Sequence, residues 1–244
     1  ADGTPIQGTT GVSKSLQRER IGGSEGQHDE QWLQQLIHRH PITIPIGQIE
    51  SGFSDLVPVC MELPLRSGYL DNLLMTRDGN IVIVEVKLFR NPQARREVLA
   101  QALDYASALF RMNYTDLEAA ILKADFDGGL PPKRLYDLFD GPGTPDEPAF
   151  VDAVNSNLKN GRFVVLVVGD GIRTDAESLM DSLQSHAGFH FTFALVELSV
   201  YQGASPDDLI VVPSTLAKTV MIERGIVRID DKRGEVVPVK VEPK

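Results

Sequence analysis

Asp71, the triplet Glu85-Val86-Lys87 and the pair Gln101/Tyr105 are the residues of this chain best suited to chemistry, and they fall in the order strand, strand, helix. Two carboxylates and a lysine gathered on one sheet edge could hold a hard cation and activate water. Magnesium keeps several waters and is typically bound by one or two carboxylates plus substrate phosphate oxygens. The set therefore suits magnesium, with manganese as a substitute, and the carbonyl of Val86 is a further candidate oxygen ligand. The competing reading is a salt bridge between two acids and a lysine on the surface.

These side chains act together only if local structure aims them at one point. Residues 69–76 and 81–88 read as apolar strands around the turn signal Arg77-Asp78-Gly79-Asn80. In the second strand Ile81, Ile83, Glu85 and Lys87 share one face, and Val82, Val84 and Val86 the other. Both faces start apolar, which predicts a central strand covered on both sides. Residues 93–112 read as a helix with Pro92 at its start and an apolar stripe of Val98, Leu99, Ala102, Leu103, Ala106 and Phe110. Gln101 and Tyr105 are an i, i+4 pair on it, so their polar ends emerge together.

Parity decides whether Asp71 and Glu85 meet. In an antiparallel pair the indices of opposed residues have a constant sum, and 71 and 85 share a face only if that sum is even. An even sum needs a loop of odd length. A three-residue loop, Asp78-Gly79-Asn80, pairs Arg77 with Ile81, sets Asp71 opposite Lys87 and leaves Glu85 diagonal to Asp71, about 7–8 Å away between backbones. A two-residue turn would send Asp71 to the opposite face.

Taken together, Gly68-Tyr69-Leu70-Asp71, Ile83-Val84-Glu85-Val86-Lys87 and Gln101-Ala102-Leu103-Asp104-Tyr105 resemble the PD-(D/E)xK nuclease superfamily, the last segment being similar to its RecB-type Q-x-x-x-Y signature. Leu70 stands where a proline often precedes the first aspartate. Upstream, Glu30-Gln31-Trp32-Leu33-Gln34 is similar to the first-helix glutamate segment of several branches. On residue type alone Glu30 complements a helix dipole; the resemblance makes it an additional metal contact. It further implies Asp71 and Glu85 as metal ligands, Lys87 as the group that positions or activates the attacking water, and Gln101 and Tyr105 as orienting or phosphate-contacting residues. Arg95 and Arg96 are candidates for backbone phosphate contacts, or else a solvated helix face. The implied reaction is metal-assisted phosphodiester hydrolysis.

The chain has 244 residues, 42% of them hydrophobic, enough for a sizeable core. No apolar run approaches the ~20 residues needed to span a bilayer, and the first thirty residues lack the apolar middle of a signal peptide. The sole cysteine, Cys60, excludes an internal disulfide, and a cytoplasmic setting fits. A formal charge of -10 argues against a generic basic nucleic-acid coat, yet Lys87, Arg90, Arg95 and Arg96 cluster beside the suspected site. An acidic chain of this kind suggests that a homodimer, a further domain or a partner supplies part of the grip on DNA.

Residues 1–26, rich in Gly, Ser, Thr and Gln, read as a flexible tail or a link to a preceding part of a longer polypeptide. Residues 27–205 read as the nuclease-like domain, with 113–160 as an insertion and a helix at 174–186. Asp29 is a plausible N-cap for the first helix, which Pro41 stops. Residues 206–244 read as a small C-terminal β extension with strands at 209–212, 219–222 and 227–229. Gly169-Asp170-Gly171 reads as a plain strand-to-helix connection, and His28, His38, His40, His186 and His190 form no metal-binding pattern with Cys60. The expected fold class is α/β, a mixed central sheet flanked by helices with a restriction-endonuclease-like core. The expected function is a magnesium-dependent DNA nuclease in repair or defence against foreign DNA; the alternative is a nuclease-like module that binds nucleic acid or a protein without cutting.

Overall fold

The run Ile81–Leu88, with its first six residues buried in succession, requires cover on both faces, and the rest of the chain supplies it. The computed structural model describes residues 6–9, 12–19, 21, 28–53, 55–88, 92–139, 141–172, 191–203, 205, 208–219, 227–229 and 236–238. In chain order the elements are β1 (Ile6–Thr9), β2 (Val12–Ser15), β3 (Arg18–Glu19), α1 (Glu30–Arg39), α2 (Ile46–Ile49), β4 (Val57–Leu65), β5 (Gly68–Met75), β6 (Ile81–Leu88), α3 (Pro92–Leu109), α4 (Tyr114–Ile121), α5 (Glu147–Asn160), β7 (Phe163–Asp170), β8 (Thr192–Gln202), β9 (Leu209–Lys218), β10 (Val227–Ile229) and β11 (Val236–Pro238).

Seven strands form one mixed sheet in the order β3-β8-β7-β6-β5-β4, with β9 on the other edge of β8. β6, β7 and β8 are parallel to one another, while β4, β5, β3 and β9 join antiparallel. Side chains alternate across the sheet and feed two cores. On one side Leu73, Met75, Ile81, Ile83, Val165 and Val167 pack against α3, α4 and α5. On the other, Leu74, Val82, Val84, Val164 and Leu166 pack against Leu33 and Ile37 of α1, Ile46 and Ile49 of α2, and Ile21. Asp29 caps α1 by accepting a hydrogen bond from Trp32 N at 2.8 Å.

Two boundaries differ from those expected. Within the segment read as a tail, β3 pairs with β8 (Arg18↔Tyr201), Leu16 and Ile21 are buried, and β1 and β2 form a hairpin. β3 lies beside the part of β8 that runs past the end of β7, so a few apolar residues in polar surroundings suffice to dock it. At the other end, β9 pairs with β8 over nearly its whole length and belongs to the main sheet, so the extension does not begin at 206. Residues 113–160, read as an insertion, supply Leu117, Ile121, Leu135, Phe139, Phe150, Val154 and Leu158 to the core. Phe110, assigned to the stripe of α3, follows the end of that helix and is 51% exposed. The helix expected at 174–186 lies outside the described residues.

The hairpin between β5 and β6 keeps the parity but not the register. Met75 pairs with Ile81, and Thr76 and Asn80 close a three-residue loop, Arg77-Asp78-Gly79, one position earlier than expected. Thr76 N donates to Asn80 O at 3.0 Å, and Asn80 N donates to Thr76 Oγ1 at 3.1 Å. The reason is Gly79, which takes φ +80°, the left-handed conformation that ends such a loop and that glycine adopts more readily than the asparagine after it. The index sum is 156 instead of 158, still even. Asp71 therefore falls opposite Glu85, not Lys87.

Candidate active site

β5 and β6 pair over only four positions, the last being Asn72↔Val84, whereas β6 follows β7 for eight, through Leu88↔Asp170. The two antiparallel strands part just where Asp71 and Glu85 begin. Beyond the last pair, the N–H of Val86 donates to Asp71 Oδ2 at 2.6 Å, taking a side-chain carboxylate as its acceptor. Asp71 Oδ1 accepts from Gln34 Nε2 of α1 at 2.7 Å. α1 is held there a second time, because Asn72 Nδ2 donates to Gln34 O at 3.1 Å.

One register step beyond Asn72↔Val84 places Glu85 across from Asp71. Glu85 is 6% exposed, and its Oε2 has no hydrogen-bond partner. Burial pushes the Glu85 carboxyl well above the usual carboxylate range, and the neighbouring Asp71 charge adds to the effect. Burial likewise raises Asp71, opposed by the Val86 N–H and reinforced by the charges of Glu62 and Glu30. An ionised carboxylate held in this way is destabilised unless a positive charge neutralises it.

Lys87 Nζ lies 3.3 Å from Glu30 Oε1 and 3.4 Å from Oε2, and Glu30 Oε1 accepts the Leu88 N–H at 2.9 Å. Both side chains are partly solvated, so the pair contributes no more than about 1 kcal/mol. Its value is positional, since Glu30 holds the ammonium at the mouth of the gap between β5 and β6. Tyr105, buried on α3, has its phenol pushed up to about 12 by burial and by the charges of Glu85 and Asp71. Gln101, one turn earlier, is exposed.

The structure thus brings Glu30, Asp71, Glu85, Lys87 and Tyr105 to one end of the β5/β6 gap. Val86, considered for its carbonyl, meets Asp71 through its N–H, and its side chain lies in the core beneath α1. The side chains of Arg95 and Arg96 lie outside the described residues, as does Arg90. Among the described residues no three Asp, Glu, His or Cys side chains converge as a ready-made cation cage. The orphaned Glu85 oxygen is a donor of the hard type that a divalent cation would take, with the neighbouring Asp71 carboxylate as the second such group.

Four contributors escape the motif. Gln34 lies one turn beyond Glu30, at the i, i+4 spacing that singled out Gln101 and Tyr105, so the same rule would have found it. Asn72 is fully buried and adjoins Asp71. Glu62 opposes Asp71 from β4, flanked by the pairs Met61↔Asn72 and Leu63↔Leu70. Gly169 pairs with Lys87, and a Cβ placed there would lie 1.8 Å from Lys87 O. Gly169→Ala must therefore push β6 and β7 apart; urea unfolding should show a loss of about 1–3 kcal/mol, and unchanged stability would refute so close an approach.

No protein-family model, curated protein or solved structure matches this chain. The geometry of the site is what speaks to its function.

Proposed function

We propose that this protein is a divalent-cation-dependent nuclease of PD-(D/E)xK type, built on a restriction-endonuclease-like core. The observation that carries the reading is the pair Asp71 and Glu85, opposed where β5 and β6 part, with an unpartnered buried oxygen on Glu85 and Lys87 two residues further on. The order α1, β4, β5, β6, α3 also delivers Glu30, Asp71, Glu85-Val86-Lys87 and Tyr105 in the sequence the resemblance requires.

Asp71 and Glu85 would hold magnesium, or manganese in its place. When bound there the cation would polarise a phosphoryl oxygen and make a neighbouring water more acidic. Gln34 and the Val86 N–H fix the Asp71 carboxylate, so it needs little reorganisation to serve as a ligand. Lys87, released from or shared with Glu30, faces the charge that develops on the phosphate and orients the water that replaces the sugar oxygen at phosphorus. Tyr105 and Gln101 would line the α3 side of the substrate path, and Arg95 and Arg96 would contact flanking phosphates.

DNA is the favoured substrate, in repair or in defence against foreign DNA, with a homodimer, further domain or partner adding to the grip of an acidic chain. No helix among the described residues is long and apolar enough to cross a membrane, and a cytoplasmic setting fits this role. Incubation of the protein with single-stranded DNA, duplex DNA and RNA, in magnesium or manganese and in EDTA, is expected to give cation-dependent strand scission that Asp71→Asn abolishes. Equal products from Asp71→Asn would sink the site, and no products from any substrate would favour the non-cleaving module.

A further inference from the structure

Glu62 sits in the interior of β4 with φ +49°, a left-handed conformation that costs a glutamate about 1 kcal/mol or more and that glycine or asparagine would take more easily. The kink has a visible consequence for packing. Cys60 and Leu63 on β4, and Leu73 and Leu70 on β5, all face the same core although each pair is three residues apart, where plain alternation would put them on opposite faces. The break falls at Glu62 and Asp71. As a structural device this needs only a residue that tolerates positive φ, so the presence of a glutamate calls for a reason in its carboxylate.

The carboxylate has no hydrogen bond or ion pair to any described residue, although it is only partly exposed. It stands across from Asp71, and its charge weighs on the Asp71 carboxyl more than that of Glu30 does. The independent sign of a ligand at this point is Glu85, over nine-tenths buried, with Oε2 unpartnered on the strand facing Asp71 from the other side. β4, β5 and β6 therefore present three acids in a row across the sheet: Glu62, Asp71 and Glu85.

Building on the cation site proposed above, we infer that Glu62 is a positioning residue for it, accepting hydrogen bonds from the waters that a hard cation retains on the β4 side. This gives the carboxylate a role at a backbone position that glycine would take with less strain. Groups that hold a cation's surroundings are worth roughly 10–100-fold in its affinity.

The test is calorimetric titration of the metal-free protein with Mn2+ alone, for wild type, Glu62→Gln, Glu62→Asn and Asp71→Asn, with thermal melts in EDTA. Glu62→Gln and Glu62→Asn should weaken Mn2+ binding about 10–100-fold, and Glu62→Asn should melt higher than wild type because the strain is eased. Binding by both Glu62 variants within twofold of wild type, with Asp71→Asn inactive in binding, would overturn the role of Glu62 and leave the cation site standing. Absence of Mn2+ binding by the wild type itself would overturn both.

Discussion

Lys87→Met is expected to lower the rate of phosphodiester cleavage by about 10²–10⁴-fold, the usual range for a group that assists proton movement or charge development in a transition state. Its effect should fall on kcat while KM and Mn2+ affinity change little. The reason is the division of charge in the structure. Asp71 and Glu85 lie one register step past the last β5/β6 pair, whereas Lys87 stands against Glu30, 3.3 Å away, with its side chain 27% exposed. In the ground state the ammonium pairs with Glu30 and offsets part of the rise of the Asp71 and Glu85 carboxyls, and the pentavalent arrangement at phosphorus would draw on its charge more strongly still. Lys87→Arg should rescue poorly, since a planar fork does not replace a compact ammonium on a flexible stem. Single-turnover rates at saturating Mn2+ measure this directly. A fall in Mn2+ affinity with unchanged kcat would reassign Lys87 to holding the carboxylates in place.

Glu85→Gln should make the metal-free protein more stable while disabling it. Glu85 is buried with an unpartnered oxygen, and a group left in that state costs about 1–3 kcal/mol, more when charged. Exchanging the acid for an amide of the same shape abolishes the proton that the raised carboxyl must take up on folding at pH 8, so in EDTA the melting temperature should rise by roughly 2–10 °C. The pH dependence carries a sign. The folded-state pKa of Glu85 lies above its unfolded value of about 4.3, so its contribution is fully present below pH ~4 and is lost as pH rises through the raised folded pKa. Asp71, also raised, acts in the same direction. Wild type in EDTA should thus lose stability from mildly acidic pH upward, Glu85→Gln less steeply, and saturating Mg2+ should restore wild type alone. Melting curves from pH 5 to 8.5 that superimpose for the two proteins would contradict a buried ionisable Glu85.

Much of this arrangement is legible in the residues. Alternation assigns β5 and β6, the Asp29 cap and Pro41 stop bound the first helix, and the even index sum expected for the hairpin is the one its pairing shows. The register escapes because it turns on which residue of Asp78-Gly79-Asn80 takes the left-handed conformation, and Gly79 wins over Asn80. Glu62 escapes for a related reason: nothing in a Cys-Met-Glu-Leu run announces a positive φ inside a strand. Gln34 shows the opposite case, a site residue at helical spacing from Glu30 that motif matching passed over and that elementary helix geometry supplies. Docking of β3 onto β8 depends on a long-range pairing of two residues, too short to leave a periodic signal.

The central claim, that the gap between β5 and β6 holds a divalent cation on Asp71 and Glu85, is tested most directly by crystals of the protein soaked in Mn2+ and examined by anomalous diffraction. The expected result is an anomalous peak within about 2.0–2.3 Å of a carboxylate oxygen from each of the two residues, absent in Asp71→Asn. A peak elsewhere, or none at saturating Mn2+, would contradict it.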